Sequence, residues 1–170
     1  MQQHFRMFAA YNRWANAEVY GAAASLGEYE LTRDAGAFFG SMLGTLNHLL
    51  VADRIWMKRF TGEGEAPKAL DAILFSDFAR LRAAREAEDR RIVEWVETLT
   101  PKALAGRFTY MTVTDLRTIS QRLSPALAHF FNHQTHHRGQ AHAILTALGK
   151  PSLVLDLVYF QRTEEGRPFA

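Results

Sequence analysis

The stretch FFNHQTHHRGQAHAIL, residues 130–145, places four of the chain's seven histidines within ten positions: His133, His136, His137 and His142. So dense a run fits a metal site, a basic surface patch or chance, and side-chain direction is what separates the three. The flanks make the stretch part of a long helix. Ser124 and Pro125 stand as N-cap and first helical residue, Gly149 as the stop, and Pro151 lies beyond it. At about 100° per residue, with His133 as the origin, His137 lies about 40° away and Phe130, Ile144 and Leu148 fall between about 20° and 60°. His133 and His137 therefore sit one turn apart on the arc that carries core-type residues. His142 points about 180° away and is expected to be exposed or to meet a partner, while His129 and His136 lie on the flank at about −40° and −60°. Gln134 and Arg138 project at about 100° and 140°, beside Leu127 and Leu145, a side expected to meet the segment before this helix or another subunit.

Two imidazoles at i and i+4 on an inward face are placed to share one metal ion, although such pairs also arise by chance inside a core. A third ligand is sought in TLNHLLVADRIW, residues 45–56, because His48 is the only histidine between positions 5 and 128. Ser41, Gly44, Ala52 and Ile55 lie within about 40° of His48 on the wheel, a small and lightly apolar face that leaves room beside the imidazole. Asn47 and Asp53 project elsewhere, as residues behind a ligand or on the surface. Taken alone, His48 reads equally as a core histidine satisfied by its own hydrogen bonds. The zincin pattern is not met, because Gln134 stands where that motif needs a glutamate and an amide cannot act as a general base.

Outward from these motifs the pattern is helical. A first helix is expected over residues 2 to 25, with Phe5, Phe8, Tyr11, Ala15 and Val19 at helical spacing. LGEYELTRDAG (26–36) reads as a connection, and a second helix over roughly 35 to 60 is stopped by Gly62, Gly64 and Pro67. A third occupies SDFARLRAAREAEDRRIVEWVETLT (76–100), with Ser76 as N-cap; its arginine-rich portion, 80–91, is expected to be a solvated face. GRFTYMTVTDLRTIS (106–120) is rich in β-branched and aromatic residues and reads as extended, either a short hairpin or a crossover loop. SLVLDLVYFQR (152–162) is expected to form one short apolar helix, and the last residues to fray. Four long helices imply an all-α four-helix bundle in one domain, 1–170, with a longer crossover before the last long helix.

Composition removes several chemistries. The 170 residues contain no cysteine, which excludes disulfides, thiolate metal sites and a cysteine nucleophile. The net charge of +2, with scattered arginines, gives no support to nucleic-acid binding. No segment approaches the apolar length needed to span a bilayer and no secretory signal is apparent, so a cytoplasmic location is expected.

LNHLLVADRIW (46–56), the HxxxHRGQ pattern of His133 to Gln140, and ALGKPSLVLDLVYF (147–160) together resemble the DinB family of damage-inducible, YfiT-like metalloenzymes. The resemblance covers nearly the whole chain. It implies a four-helix bundle with a divalent ion (nickel, zinc or iron) held by His48, His133 and His137, and it implies a homodimer with a stress-response role. It further implies a thiol-dependent S-transferase or isomerase acting on a small molecule, with the thiol supplied from outside as a low-molecular-weight compound such as mycothiol or bacillithiol. Some thiol-dependent relatives carry a carboxylate in place of one ligand histidine on the last long helix, whereas this chain keeps both. A metal-dependent hydrolase using metal-bound water, and a non-catalytic metal or small-molecule binding protein, are the alternatives. Gln140, about −20° from His133, is the candidate for orienting a ligand imidazole, and Arg138 for either a structural contact or holding a substrate. His4 is the nearest outside candidate for a fourth ligand. No catalytic general base is evident.

Overall fold

A computed structural model describes residues 1–170. In chain order it contains α1 (Gln2–Ala23), α2 (Glu28–Thr32), α3 (Met42–Thr61), α4 (Phe78–Thr98), α5 (Pro101–Ala105), β1 (Arg107–Met111), β2 (Thr118–Arg122), α6 (Leu123–Ala147) and α7 (Leu157–Phe160). A 3-10 turn over Arg167–Phe169 follows. The protein is mostly helical. Each of the four long helices packs on two others: α1 lies against α4 and α6, and α3 lies against the same two from the opposite side. No helix is long and apolar enough to cross a membrane.

Local chemistry sets the helix ends. Ser41 caps α3 through the amide of Gly44 at 3.0 Å, and Gly62, in the left-handed region at φ 77°, terminates it. The second helix thus starts at residue 42, not near 35. The preceding segment turns instead at Gly36 and Gly40, both at positive φ, and is tied by an Ala37–Gly40 bridge. Asp77, one position after the expected Ser76, caps α4 by accepting from the amide of Arg80 at 2.8 Å. α6 begins at Leu123, so Ser124 and Pro125 fall in its first turn, where an amide hydrogen has no intrahelical partner to lose.

The extended segment is a hairpin, with β1 and β2 antiparallel and Arg107 paired to Arg122 and Tyr110 to Ile119. Its alternating inner residues Phe108 and Tyr110 pack on Trp56 and Phe60 at the end of α3, with ring centroids 5.3 Å apart for Trp56–Tyr110 and for Phe60–Phe108. The C-terminal segment is not one helix. Residues 151–156 are irregular before the four-residue α7, and Tyr11 Oη donates to the Leu155 carbonyl at 2.7 Å. Nor is the end frayed: Phe169 stacks on the fully buried Phe160, and Gln161 donates to the Phe169 carbonyl at 2.9 Å.

Between the apolar layers runs a buried polar network that the charge pattern did not reveal. Arg85, on the segment expected to be solvated, is 1% exposed and bridges Asp53 on α3 at 2.7 Å and Asp89 on α4 at 3.0 Å. Asn16 donates to Asp89 at 2.9 Å, and Arg138 on α6 donates to Asn12 and, at 3.3 Å, to Asn16. Gln134 completes the set by donating to the Leu49 carbonyl at 3.1 Å and to Asp53. The side of α6 that carries Gln134 and Arg138 therefore faces α1 and α3 inside the same chain.

Candidate metal centre

His48 from α3 and His133 and His137 from α6 come together so that one ring nitrogen of each lies within 4.8 Å of the others. Ring centroids are 4.4 Å apart for His133–His137 and His48–His137, and 5.2 Å for His48–His133. His48 and His137 are buried and His133 is half-buried. The i, i+4 spacing on α6 supplies two directions, and the packing of α3 against α6 brings the third.

Two of the rings are held by their outer nitrogens. His48 Nδ1 lies 2.7 Å from the Leu70 carbonyl, which can only accept, so Nδ1 carries the proton and Nε2 presents a bare lone pair. His137 Nδ1 likewise donates to Gln140 Oε1 at 2.7 Å, one turn along α6. Hydrogen bonds of this kind fix the tautomer and orientation of metal-ligating imidazoles. His48 Nε2 and His133 Nε2 stand 3.4 Å apart. Nitrogens bound to a tetrahedral ion at 2.0–2.1 Å are separated by about 3.3–3.4 Å, so this spacing suits a bridging cation.

The imidazoles are also kept neutral. Burial, followed by the neighbouring histidines, pushes His133 down to about 3. Burial lowers His48 to about 4 despite the opposing pull of the Leu70 carbonyl, and lowers His137 as well. All three lone pairs are available at neutral pH. That is the donor set a borderline divalent ion takes, with coordination positions left over.

Residues around the cluster explain its placement. Asn47, expected behind a ligand or on the surface, is fully buried and clamps the 62–77 connection by exchanging hydrogen bonds with both backbone groups of Phe75 at 3.0 Å. That clamp holds the connection that brings the Leu70 carbonyl to His48. Phe39 stacks face-on over His48, with centroids 3.7 Å apart and planes 15° apart. The room beside His48 expected at Gly44 is filled by this segment: a Cβ on Gly44 would lie 2.2 Å from the Phe39 carbonyl oxygen. Phe39 and Leu70 carry no spacing signal, since one contributes a ring face from a turn and the other only its backbone oxygen.

The remaining histidines separate. His136 is exposed, and His4 is exposed against Phe5 and Phe8, outside the group. His142 corrects the expectation of a free or partner-facing side chain. It is half-buried, accepts the Leu153 amide at 3.0 Å and lies 3.0 Å from Ser152 Oγ, pinning the chain after α6. Arg138 is 2% exposed and engaged with Asn12, Asn16 and the Tyr11 ring, which places it in the polar network rather than at the cluster. A cavity of about 230 Å³ is lined by His48 and His133 and by Tyr110, Thr112, Val113 and Thr114 of the hairpin. His129, which the wheel placed on the flank, lines it too, its pKa lowered by partial burial and then by Arg59.

A mostly helical protein with three converging, neutral imidazoles beside a small cavity defines a class of candidate metal-binding protein. The DinB family model matches residues 1–167, and the chain belongs to the DinB family. It is 23% identical over 161 residues to Protein DinB of Bacillus subtilis (strain 168), an alignment covering 91% of this chain and 94% of the relative.

Proposed function

We propose that this chain is a single-domain, four-helix-bundle metalloprotein in which His48, His133 and His137 hold a divalent ion and serve a metal-dependent reaction on a small molecule, with transfer to or from an external thiol as the leading reaction. The observation that carries the reading is the convergence of three neutral imidazoles, two of them anchored through Nδ1 so that Nε2 is free. When bound, the ion supplies Lewis acidity, which stabilises a coordinating thiolate and polarises an acceptor. The chain's own residues do the rest. The Leu70 carbonyl and Gln140 fix two rings, while Phe39 covers one face of His48 and keeps water from it. The cavity on the other side leaves space for a substrate against His48 and His133. The thiol must come from outside, since the chain has no cysteine.

The test is turnover of small electrophiles with a panel of low-molecular-weight thiols, with and without a chelator. Turnover that requires both thiol and metal is expected. Chelator-sensitive turnover without thiol would replace this reading with hydrolysis, and stoichiometric metal without any turnover would leave a binding protein.

A further inference from the structure

We propose that the cavity beside the histidine cluster is a carboxylate subsite, in which Arg59 holds the anion and Ile55, Trp56, Leu70 and Val113 wall an apolar body. The inference deepens the metal-dependent reading and rests on it for the reaction, but not for the binding. Arg59 stands in the last turn of α3 beside Lys58, and the two diverge. Lys58 turns to the helix end and donates to the Gly62 carbonyl at 2.7 Å. Arg59 turns back against a pair of adjoining rings, its guanidinium carbon 4.6 Å from the Trp56 centroid and 4.5 Å from that of Tyr110, which are themselves 5.3 Å apart.

Packed beside both rings, the guanidinium lines the same cavity as His48 and His133. It makes one hydrogen bond, to the Met111 carbonyl at 3.3 Å, and no ion pair. Of the other partly or fully buried arginines, Arg6, Arg13, Arg54, Arg85 and Arg91 each meet a carboxylate and Arg138 meets two asparagines; Arg33 shares the lack of an ion pair but does not line the cavity. Partial burial pulls the Arg59 pKa downward, with Tyr110 opposing it. No aspartate or glutamate lines the cavity, whose remaining polar side chains are histidines, a tyrosine and two threonines.

An unpaired, pre-oriented guanidinium has four or five donors in a planar fork that matches a carboxylate bidentately. The aromatic and aliphatic walls suit a ligand with an apolar body. A single cation with no second arginine or lysine in the lining fits a monoanion better than a phosphate dianion. A carboxylate seated on Arg59 would direct the other end of the ligand toward His48 and His133.

The probes are benzoate and benzamide, which share size and differ in charge. Dissociation constants are measured calorimetrically for the chelated and the metal-loaded protein, alongside Arg59→Gln and Arg59→Lys. The wild type is expected to bind benzoate at least about tenfold more tightly than benzamide in both forms. Arg59→Gln should lose the preference and Arg59→Lys keep part of it, with metal content unchanged in both. In the wild type, the Arg59 Nε–H resonance should shift on benzoate titration and not with benzamide, a readout that needs no variant to fold. A preference that survives Arg59→Gln, or appears only in the metal-loaded protein, overturns the subsite, as does equal or absent binding of the two probes. If the protein proves to take up no metal but keeps the preference through Arg59, the metal reading fails and the subsite stands. Repeating the comparison with 3-mercaptopropionate and 2-mercaptoethanol tells whether the carboxylate is carried by the thiol.

Discussion

Two polar clusters lie inside this molecule, and they solve burial in opposite ways. The first joins Asp53, Arg85 and Asp89 with Asn12, Asn16, Gln134 and Arg138, so that charges from α3, α4 and α6 offset one another and α1 adds two amides. The second gathers three histidines between α3 and α6 with no acid among them, and it answers burial by keeping every ring neutral. The network draws its charge partners from within the chain. The histidine cluster points its free lone pairs at one another, an arrangement that only a proton or a cation between them can satisfy. A buried polar group that is fully partnered reads as structure, and one that leaves converging lone pairs open reads as a site.

The comparison breaks most sharply at Arg85. Replacing it with methionine strands two buried carboxylates, and chemical denaturation should show a loss of about 3–5 kcal/mol, while metal uptake by the folded fraction persists. Gly44→Ala tests the packing over the other cluster. Its methyl group would displace the Phe39 backbone, so about 1–3 kcal/mol of stability should be lost together with weaker metal binding. Gln140→Ala removes only the acceptor behind His137, and competition with a metallochromic indicator should show affinity falling about 10–100-fold with the fold unchanged.

Acidity separates the clusters by sign. In the metal-free protein, His48 and His133 stay neutral down to about 4 and about 3, whereas the unfolded chain protonates them near 6.5. The unfolded state then binds more protons, so these two residues make stability fall as pH drops from about 6.5 toward about 3. Asp53, raised by burial to about 7, works the other way, because the folded state takes up a proton before the unfolded one does. A His48→Gln, His133→Gln double variant should therefore lose the acid-side decline, or invert it, in denaturation curves between pH 7 and 4. An unchanged slope would mean that the two imidazoles titrate normally.

What the sequence revealed follows from direction. Periodicity identified the long helices, β-branched composition marked the hairpin segment, and the wheel gave His133 and His137 one face and His136 another. The polar network was not legible, because an arginine-rich helix face looks the same whether it meets water or a facing aspartate 32 residues away in sequence, as Arg85 meets Asp53. Phe39 and the Leu70 carbonyl were hidden for a related reason: one comes from a glycine turn and the other acts through backbone, so neither leaves a side-chain pattern. His142 was read correctly in direction but not in role, since only the path of residues 150–156 shows what it meets.

The most direct measurement is the metal content of untagged protein equilibrated with zinc or nickel and then freed of excess, for the wild type, His48→Ala, His133→Ala, His137→Ala and the exposed neighbour His136→Ala. About one ion per chain is predicted for the wild type and His136→Ala, with loss in each of the other three. Metal retained by all three variants, or absent from the folded wild type, would contradict the account.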